Sequence, residues 1–369
     1  MDLPTGTDTV MGDLPSNRKR KCDDDGINGG THGGTKEDDI YKRDIYKRLK
    51  VLDSKILKGM ESFNEDEMQR RLDELVPRIE KAVKDLETKG YAVIKGVLSP
   101  GEVDEAKKSF FRFYYHDDHQ KIRDIHNNLD SHGIFQQVVG HGEWAWMVRC
   151  NPFVKECYKR IYGTPDLVVS YDGCCYIPQD SKKKDTKPWT HTDQAPRTKG
   201  RSTIQGVAAL TDNDTRTLVV YEGSHKLHHQ YGKDFNVTDK KNWHKIHPDF
   251  LNTIAHTKRV VKLRRGDLGL WDSRTFHQNQ YGDKPEERLV QYVCYLPKSG
   301  RSEKERKKRE KYLKEERTTS HYPYPVNVNG LQPQNWGKKD LVIDYKKVGK
   351  LLKWDKMPEE KKRAIMKLV

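Results

Sequence analysis

The sequence has 369 residues, a formal net charge of +15, and equal shares, 34% each, of hydrophobic and charged residues. Globular domains average roughly 45–50% apolar residues, so part of this chain is expected to lie outside any core. The sequence contains neither an apolar run near the roughly 18 residues of a membrane span nor an N-terminal apolar stretch of signal-peptide type. A soluble intracellular protein, cytoplasmic or nuclear, is therefore expected.

The cysteine pattern agrees with that compartment. None of the six cysteines belongs to a CxxC pair, and the neighbours Cys174 and Cys175 are poorly placed to form a disulfide with each other. Reduced thiols are therefore expected, and a zinc site is not.

Residues 1–40 are rich in Gly, Asp, Thr and Asn, and they are predicted to be disordered because they bury too little apolar surface to offset the entropy of ordering. This tail contains a basic patch, Arg18–Lys21. The patch is either a nuclear-import signal or a solvated cluster of charges, and four residues do not decide between the two.

Residues 41–90 form a second region, which is predicted to be helical. Its best-marked helix begins with a capping box, in which Asn64 is the N-cap and Glu67 the third helical residue, and it ends at Gly90. Pro77 lies inside the helical pattern, so a kink or break is expected just before it. One apolar stripe predicts the face that packs on the core: Leu72, Leu75, Ile79, Val83 and Leu86.

A third region, residues 91–300, begins with a predicted strand at Tyr91–Val97, after which two helices are expected. The first helix is capped by Ser99, and its cluster of aromatic residues is expected to pack in the core rather than to stack on bases. The second helix lies between Asn151 and Gly163, by the same capping logic.

From Leu167 onward the pattern changes to short β-branched or aromatic runs separated by Gly, Pro, Asp and Asn. Such strands, after a helical N-terminal part, predict an α+β protein with a double-sheet β roll and helices packed on one side. The runs are Leu167–Ile177, Thr203–Thr211, Thr217–Tyr221, Arg259–Leu263, Leu268–Asp272 and Arg288–Leu296.

The last region, residues 301–369, is a basic extension that is predicted to be partly helical. Lys298–Val369 holds 21 Lys/Arg against 10 Asp/Glu, so +11 of the net +15 lies there. An acid precedes a base by four residues in the pairs Glu303–Lys307, Glu305–Arg309 and Glu310–Lys314. This spacing favours a solvent-facing helix over a dedicated nucleic-acid surface.

Three polar residues have the composition of a metal site. His191 and Asp193 alternate along an extended segment, so their side chains point to the same side. His277 follows on a strand introduced by the turn Gly266–Asp267. Two imidazoles and one carboxylate make the facial triad that holds non-haem Fe(II) and leaves three coordination positions open. Arg288 begins the next apolar run, and an arginine can grip a planar carboxylate with two hydrogen bonds.

Several motifs resemble the phytanoyl-CoA dioxygenase-like branch of the Fe(II)/2-oxoglutarate oxygenases. They are WTHTDQ at 189–194, EGSHKLH at 222–228 and RRGDLGLWDSRTFHQN at 264–279. The resemblance covers about Tyr91 to Pro323, and it includes SHGIFQ at 131–136 and TTSHYP at 318–323.

The resemblance implies a distorted double-stranded β-helix, a core of the jelly-roll or cupin-like kind, with iron in its open mouth. His191, Asp193 and His277 match the iron ligands of the family. Arg288 matches the residue that binds the distal carboxylate of 2-oxoglutarate, and Asn279 matches a small polar position near that cosubstrate. The implied cofactors are Fe(II), 2-oxoglutarate and O2, with ascorbate as an optional accessory.

The implied function is hydroxylation of an unidentified substrate with release of succinate and CO2. A small-molecule or acyl substrate is expected, and its choice is assigned to the charged loop Asp180–Lys187, which leads into the triad segment. The alternative hypothesis is a basic nucleic-acid-associated protein with a catalytically inactive β roll, which holds phosphates through its C-terminal lysines.

Weaker expectations concern neighbouring polar residues. Gln205 is expected to face the cosubstrate, and Gln194 and Arg197 are expected to reach substrate. Asp272 and Arg274 either orient the metal ligands or form a pair that only holds a turn. The histidines after the third strand run are expected to be turn and surface residues rather than metal ligands: His225, His228 and His229.

Overall fold

The structure is a computed structural model that describes residues 65–128, 131–136, 138–328 and 350–369. The predicted disordered tail, its basic patch and the expected N-cap Asn64 lie outside the described residues. Within the described ranges, no helix combines the length and the apolar character needed to cross a membrane.

The first described helix, α1 (Glu65–Lys89), ends at Gly90 as predicted. Gly90 adopts a φ of +84°, and its N–H donates to the carbonyl of Leu86, with 3.1 Å between N and O. The helix is continuous through Pro77, so the chain does not break there. Proline removes one backbone hydrogen bond, but buried side chains on both sides of it keep the helix on the core: Met68, Leu72, Leu75, Ile79, Ala82 and Leu86.

Four further helices complete the N-terminal layer. The first, α2 (Pro100–Tyr114), has the predicted cap, in which Ser99 Oγ accepts from the N–H of Glu102 and the Glu102 carboxylate accepts from the N–H of Ser99. Phe110, Phe113 and Tyr114 of the aromatic cluster are buried in the core as predicted, and Phe110 contacts Trp144 edge to face at a ring distance of 5.2 Å. Tyr115, at the end of the cluster, is 62% exposed, so the prediction is wrong for this residue. The others are α3 (Gln120–Asn128), α4 (Glu143–Cys150) and α5 (Pro152–Tyr162), the last between Asn151 and Gly163 as predicted.

The strands of the described residues form two antiparallel sheets. The larger sheet has the order β1-β10-β6-β12-β4-β2, with β3 also paired to β12, and the smaller sheet has the order β8-β5-β11-β7-β9. The bounds are β1 (Tyr91–Ile94), β2 (Ile134–Phe135), β3 (Leu167–Val169), β4 (Cys174–Ile177), β5 (His191–Thr192), β6 (Ile204–Ala209), β7 (Asn213–Tyr221), β8 (His244–Lys245), β9 (Lys258–Leu263), β10 (Leu268–Asp272), β11 (His277–Asn279) and β12 (Arg288–Pro297).

The order of these strands defines the fold. Strands β4, β6, β10 and β12 belong to the larger sheet, whereas β5, β7, β9 and β11 belong to the smaller one, so the chain crosses repeatedly between the two. The helical layer covers the larger sheet, where Tyr158 of α5 donates its hydroxyl to the carbonyl of Val293 on β12 (O to O, 2.7 Å). The predicted α+β fold with a double-stranded β-helix core and N-terminal helices packed on one side is confirmed.

Two helices, α6 (Ser224–Asp234) and α7 (Pro248–Thr253), lie between β7 and β9. Helix α6 follows the predicted turn, because Gly223 precedes it with a φ of +80°. The buried side of α6 includes His225 and His228. The prediction that these two are turn and surface residues is therefore wrong, because the chain after Gly223 continues as a helix against the barrel.

The C-terminal extension contains the helices α8 (Glu303–Lys314) and α9 (Glu359–Met366) among its described residues. The sequence predicted a solvent-facing α8 in which Glu305 pairs with Arg309. Arg309 is instead fully buried, so the prediction of a solvent-exposed pair with Glu305 is wrong. Its guanidinium has donors in several directions and satisfies buried backbone acceptors at N-to-O distances of 2.7–2.9 Å, namely the carbonyls of Val169, Pro323, Leu368 and Val369.

Candidate functional site

Two histidines face each other in the smaller sheet. Strands β5 and β11 are antiparallel, with His191 directly opposite His277, so the two side chains leave the same face of the sheet. Asp193 lies two residues beyond His191. Its Oδ2 is 3.2 Å from Nε2 of His277, and its Oδ1 is 3.7 Å from Nε2 of His191. These ligand atoms all lie within 4.8 Å of one another, so the structure brings the three predicted residues together.

The strand that carries His277 differs from the one that the sequence analysis placed there. The strand introduced by Gly266–Asp267 is β10, which ends at Asp272 and belongs to the larger sheet. The chain then crosses to the smaller sheet, where His277 begins the separate three-residue strand β11. Because of this crossing, His277 pairs with His191 in the smaller sheet, at the open end of the double-stranded β-helix.

Backbone carbonyls hold the other nitrogen of each ring. Nδ1 of His191 donates to the carbonyl of Trp189 (3.2 Å), and Nδ1 of His277 donates to the carbonyl of Thr275 (2.9 Å). A carbonyl only accepts, so Nδ1 carries a hydrogen in each ring, and the neutral form of such a ring has its lone pair on Nε2. Both Nε2 atoms face the Asp193 carboxylate, so their lone pairs converge where a cation would be bound.

The charges of the cluster follow from its burial. Burial, and then the neighbouring His277, lower the pKa of His191 to about 3, so its imidazole is neutral near pH 7. Burial by itself raises the pKa of Asp193, but the nearby histidines outweigh it and the pKa lies below its usual range. A carboxylate that stays ionised beside imidazole lone pairs is a donor set that fits Fe(II).

Two more side chains hold Asp193 in place. Nε2 of Gln205 donates to Oδ2 of Asp193 (3.0 Å), and the hydroxyl of Tyr322 donates to its backbone carbonyl (2.8 Å). Gln205 was expected to face the cosubstrate, and the structure places its amide on the carboxylate instead. An amide in this position fixes the orientation of a metal-binding carboxylate.

Aromatic rings surround the two histidines. Trp189 stacks on His191 at a ring distance of 4.8 Å, and Trp243 stacks on it at 5.5 Å. Trp271 lies 5.3 Å from the ring of His277. Trp243 is 51% exposed, so it marks the side of the cluster that opens to solvent.

Arg288 lies in the interior between the sheets and is completely buried. Nη2 donates to Oδ1 of Asn279 (3.2 Å), Nη1 donates to the carbonyl of Arg216 (3.1 Å), and Nε contacts Sγ of Cys175 (3.4 Å). All of these partners are uncharged groups. No carboxylate pairs with this guanidinium within the described ranges, so its charge is left for an anion.

Tyr292 also belongs to the group of residues around Arg288, although it was not predicted as a site residue. This group is called the arginine end below. Its hydroxyl accepts a hydrogen bond from Nδ2 of Asn279 (2.9 Å), which leaves Oδ1 of Asn279 for Arg288. Tyr292 lies four residues after Arg288 on β12, and alternate residues of a strand share a face. This four-residue spacing from Arg288 is the sequence signal that could have identified Tyr292.

Gln194 and Arg197 were expected to reach substrate. Nε2 of Gln194 donates to the carbonyls of Thr198 and Gly200, at 3.1 and 2.8 Å. Nε of Arg197 donates to the carbonyl of Val237 (2.5 Å). Both side chains therefore hold loops, and the structure does not support substrate contact by either.

The two interpretations of Asp272 and Arg274 are separated by their geometry. Nε and Nη2 of Arg274 donate to the two carboxylate oxygens of Asp272, at 2.9 and 2.7 Å. The backbone N–H of Arg274 also donates to Oδ1 (2.9 Å). The pair is thus closed on itself across the turn after β10, which favours the turn-holding role.

The histidines of α6 are held by backbone carbonyls outside the cluster. Nε2 of His228 lies 2.8 Å from the carbonyl oxygen of Gln194, and Nε2 of His225 lies 3.1 Å from that of Glu87. His229 is half-buried, with Nδ1 3.3 Å from the carbonyl oxygen of Pro196. These contacts fasten α6 to the loop after β5 and to the end of α1.

Comparison with known proteins identifies the family. Residues 86–280 match the phytanoyl-CoA dioxygenase family, and this match covers more than half of the chain. The chain therefore belongs to the phytanoyl-CoA dioxygenase family. The predicted resemblance is confirmed, and the clustered ligand atoms fit the iron- and 2-oxoglutarate-dependent oxygenase class that the family implies.

A curated relative is Ava biosynthesis cluster protein O of Aspergillus versicolor. It is 30% identical over 188 residues, which cover 47% of this chain and 60% of that protein. The chain thus spans less than two thirds of the length of this relative.

Solved structures of similar chains share less sequence. The epimerase SnoN, in complex with Fe3+, alpha ketoglutarate and nogalamycin RO, is 17% identical, with a TM-score of 0.43 over 60% of this chain and 84% of that chain. EctD from S. alaskensis, with 2-oxoglutarate and 5-hydroxyectoine, is 14% identical, with a TM-score of 0.43 over 60% and 77%. HygX from Streptomyces hygroscopicus, with nickel and 2-oxoglutarate bound, is 14% identical, with a TM-score of 0.41 over 59% and 86%. Likenesses at this level do not identify a substrate.

Proposed function

We propose that this chain is an Fe(II)- and 2-oxoglutarate-dependent dioxygenase that hydroxylates a small-molecule substrate and releases succinate and CO2. One observation carries the proposal. The convergent ligand atoms of His191, Asp193 and His277 share the barrel interior with Arg288, a buried guanidinium that has no carboxylate partner among the described residues. In this proposal the first three residues bind the metal, and Arg288 binds the distal carboxylate of 2-oxoglutarate.

The distance between the metal cluster and Arg288 supports a single ligand that contacts both. Asn279, which accepts a hydrogen bond from Arg288, lies two residues after His277 on β11. Two residues of a strand span about 7 Å and point to the same face. A short dicarboxylate bridges such a distance, with one carboxylate at the arginine and the other end at the metal.

The charges of the two ends suit that ligand. The metal cluster contributes one carboxylate, so a divalent cation held there keeps a positive charge that attracts an anionic group. Arg288 is completely buried, and a charge removed from water is costly until an opposite charge meets it. Its planar fork also matches a carboxylate with two parallel hydrogen bonds.

The oxidising chemistry is supplied by Fe(II), 2-oxoglutarate and O2 when they are bound. The residues of the chain orient and shield that chemistry. The carbonyls of Trp189 and Thr275 fix the two imidazoles, and Gln205 fixes the Asp193 carboxylate. Trp243 stacks on one face of His191 at the side of the cluster that is open to solvent.

Substrate selection is assigned to the open side of the cluster. Trp243 offers an exposed apolar surface next to His191, and the charged loop Asp180–Lys187 leads into the strand that carries His191. We also retain residues 91–300 as the oxygenase domain. Among the described residues of the extension 301–369, Tyr322 contacts this domain through its hydrogen bond to the carbonyl of Asp193.

The alternative of a nucleic-acid-associated protein with an inactive β roll has less support. The ligand atoms of the cluster are complete and converge, which an inactive roll does not require. Part of the basic charge of the extension also serves the fold, because Arg309 is buried on backbone carbonyls.

The proposal is tested without knowledge of the substrate. Fe(II) and 2-oxoglutarate are added to the protein under anaerobic conditions, and the visible charge-transfer band of a metal-chelated keto acid is measured. We expect the band in the wild type and its absence in His277→Ala, which lacks one imidazole ligand. A wild-type protein that binds Fe(II) and gives no band at saturating 2-oxoglutarate contradicts the proposal.

A further inference from the structure

A segment of the C-terminal extension bonds to the backbone of the candidate metal ligand Asp193. This segment, Thr318–Tyr322, is fixed to the core because the N–H of Thr319 donates to the carbonyl of Tyr171 (2.9 Å). At its far end the Tyr322 hydroxyl donates to the carbonyl of Asp193 (2.8 Å). The segment begins 38 residues beyond Gln280, the last residue of the family match. It is thus held by the core at one end and by Asp193 at the other.

His321 lies within this segment, with its ring 4.5 Å from the ring of Tyr322. Its Nε2 is shielded from solvent and has no hydrogen-bond partner among the described residues. Tyr322, the next residue, bonds to the backbone carbonyl of Asp193, so the imidazole of His321 lies on the side of the cluster that contains Asp193. A buried polar nitrogen beside the cluster is thus left without a partner, which is uncommon in folded proteins.

A second buried nitrogen near the cluster has the same property. Nε1 of Trp271 has no partner among the described residues, and the Trp271 ring lies 5.3 Å from that of His277. Leaving a buried donor unsatisfied is costly. Both nitrogens lie near the cluster, where a bound polar ligand would complete their hydrogen bonding.

We propose that His321 is an active-site residue whose Nε2 hydrogen-bonds to the metal-bound end of 2-oxoglutarate. This inference rests on the function proposed above, and it gives a role to the histidine of the TTSHYP stretch at 318–323. Arg288 and Asn279 hold the distal carboxylate at the other end of the ligand. The end near Asp193 and His277 is the keto-acid end, whose carboxylate is an anionic acceptor. A ring N–H suits such an acceptor, because hydrogen bonds to charged oxygens are stronger than neutral ones.

The test compares two substitutions of His321. His321→Leu fills the space without a polar atom, whereas His321→Gln keeps an N–H donor near the position of Nε2. Anaerobic Fe(II)-loaded protein is titrated with 2-oxoglutarate while the charge-transfer band is followed. We expect His321→Leu to bind 2-oxoglutarate about tenfold more weakly, as for the loss of one hydrogen bond to a charged group, and to shift the band. His321→Gln should restore most of both.

Ser320→Ala is the matched control for a purely structural effect. It changes a side chain next to His321 in the same segment, keeps the hydrogen bond from the N–H of residue 320 to the carbonyl of Asn327, and leaves the imidazole of His321 in place. We expect the wild-type band position in this variant, and Fe(II) affinity in the absence of 2-oxoglutarate should be the same in His321→Leu as in the wild type. An unshifted band in His321→Leu, or an equal shift in Ser320→Ala, overturns the assignment of His321. Absence of the band in the wild type overturns the proposed function itself, so the two failures are distinguishable.

Discussion

The two ends of the site differ in how far they are open to solvent. At the metal end, His191, Asp193 and His277 keep 5%, 7% and 4% of their surface exposed, whereas Arg288 at the other end is 0% exposed. A dicarboxylate that spans both ends is therefore anchored by its distal carboxylate in the interior. Its reactive end faces the mouth, where substrate and O2 arrive.

The two ends also differ in how they are built. The metal end sits on the two-residue strand β5 and the three-residue strand β11, and hydrogen bonds from the rings to backbone carbonyls fix its histidines. The arginine end sits on β12, a ten-residue strand paired with both β4 and β6. Changes at the metal end should thus affect function more than folding, and changes at the arginine end should affect both.

Asp193→Ala is expected to have the largest effect. The change removes the only carboxylate among the clustered ligands and leaves two imidazoles without the charge that attracts a divalent cation. We expect Fe(II) affinity to fall by more than about 100-fold, because even outer-shell changes at metal sites cost 10–100-fold. Isothermal titration under anaerobic conditions measures this.

The same variant tests whether the metal end is dispensable for folding. Thermal unfolding of the metal-free protein should change by only a few degrees, because Asp193 follows the two-residue strand β5 and its side chain contacts other polar residues of the site. A large drop in the unfolding temperature would show instead that the cluster is a structural element, and the contrast between the two ends would then be lost.

Arg288→Leu tests the arginine end of the site. It removes the guanidinium that is proposed to hold the distal carboxylate, so we expect 2-oxoglutarate affinity to fall roughly 100-fold, as for the loss of charge-assisted hydrogen bonds. Fe(II) affinity should stay near the wild-type value. Arg288→Lys keeps the charge without the planar fork, so its affinity should lie between those of the wild type and the leucine variant.

The measurement is the 2-oxoglutarate dependence of the charge-transfer band, with thermal unfolding followed in parallel. Loss of stability is expected here, because Arg288 also donates to the backbone carbonyl of Arg216 on β7. If both variants keep the wild-type 2-oxoglutarate dependence, Arg288 is not the anchor for the distal carboxylate.

Gln205→Leu should give a smaller effect, confined to the metal end. The amide hydrogen bond to Oδ2 of Asp193 is lost, and removal of such an orienting partner lowers metal affinity about tenfold. Affinity for 2-oxoglutarate at saturating Fe(II) should change little. Gln205→Glu is the paired control, since a second carboxylate beside Asp193 repels the first. A drop in 2-oxoglutarate affinity larger than the drop in metal affinity would support the cosubstrate role expected from the sequence.

Much of the fold was predictable because its long strands carry continuous apolar runs. Strand β10 has the predicted bounds Leu268–Asp272, and β12 differs from its prediction by one residue at its end. The two strands that carry the metal candidates are short and polar, and nothing in their pattern places them in a separate sheet. The crossing from β10 to β11 at residues 273–276 therefore became visible only in three dimensions.

The part of the site that was predictable from the sequence is the part in which several site residues lie in one motif. The three metal candidates and Asn279 lie in the two motif stretches around His191 and His277. The remaining contacts depend on distant segments that meet only in the folded chain, as for the approach of His321 to Asp193. The position of the amide of Gln205 on a carboxylate, rather than on the cosubstrate, also depends on which side chain lies opposite it across the interior.

Tyr292→Phe is expected to have the smallest effect. It tests how the arginine end is oriented. Nδ2 of Asn279 donates to the Tyr292 hydroxyl, which orients Oδ1 of Asn279 toward Nη2 of Arg288. Loss of one neutral hydrogen bond costs about 1 kcal/mol, so we expect 2-oxoglutarate affinity to fall about fivefold while Fe(II) affinity is unchanged. Competition with N-oxalylglycine, read from the charge-transfer band, measures this. A phenylalanine variant that loses Fe(II) affinity instead would show that the two ends are coupled through Asn279 and β11, and that their separation into an anchoring end and a metal end is wrong.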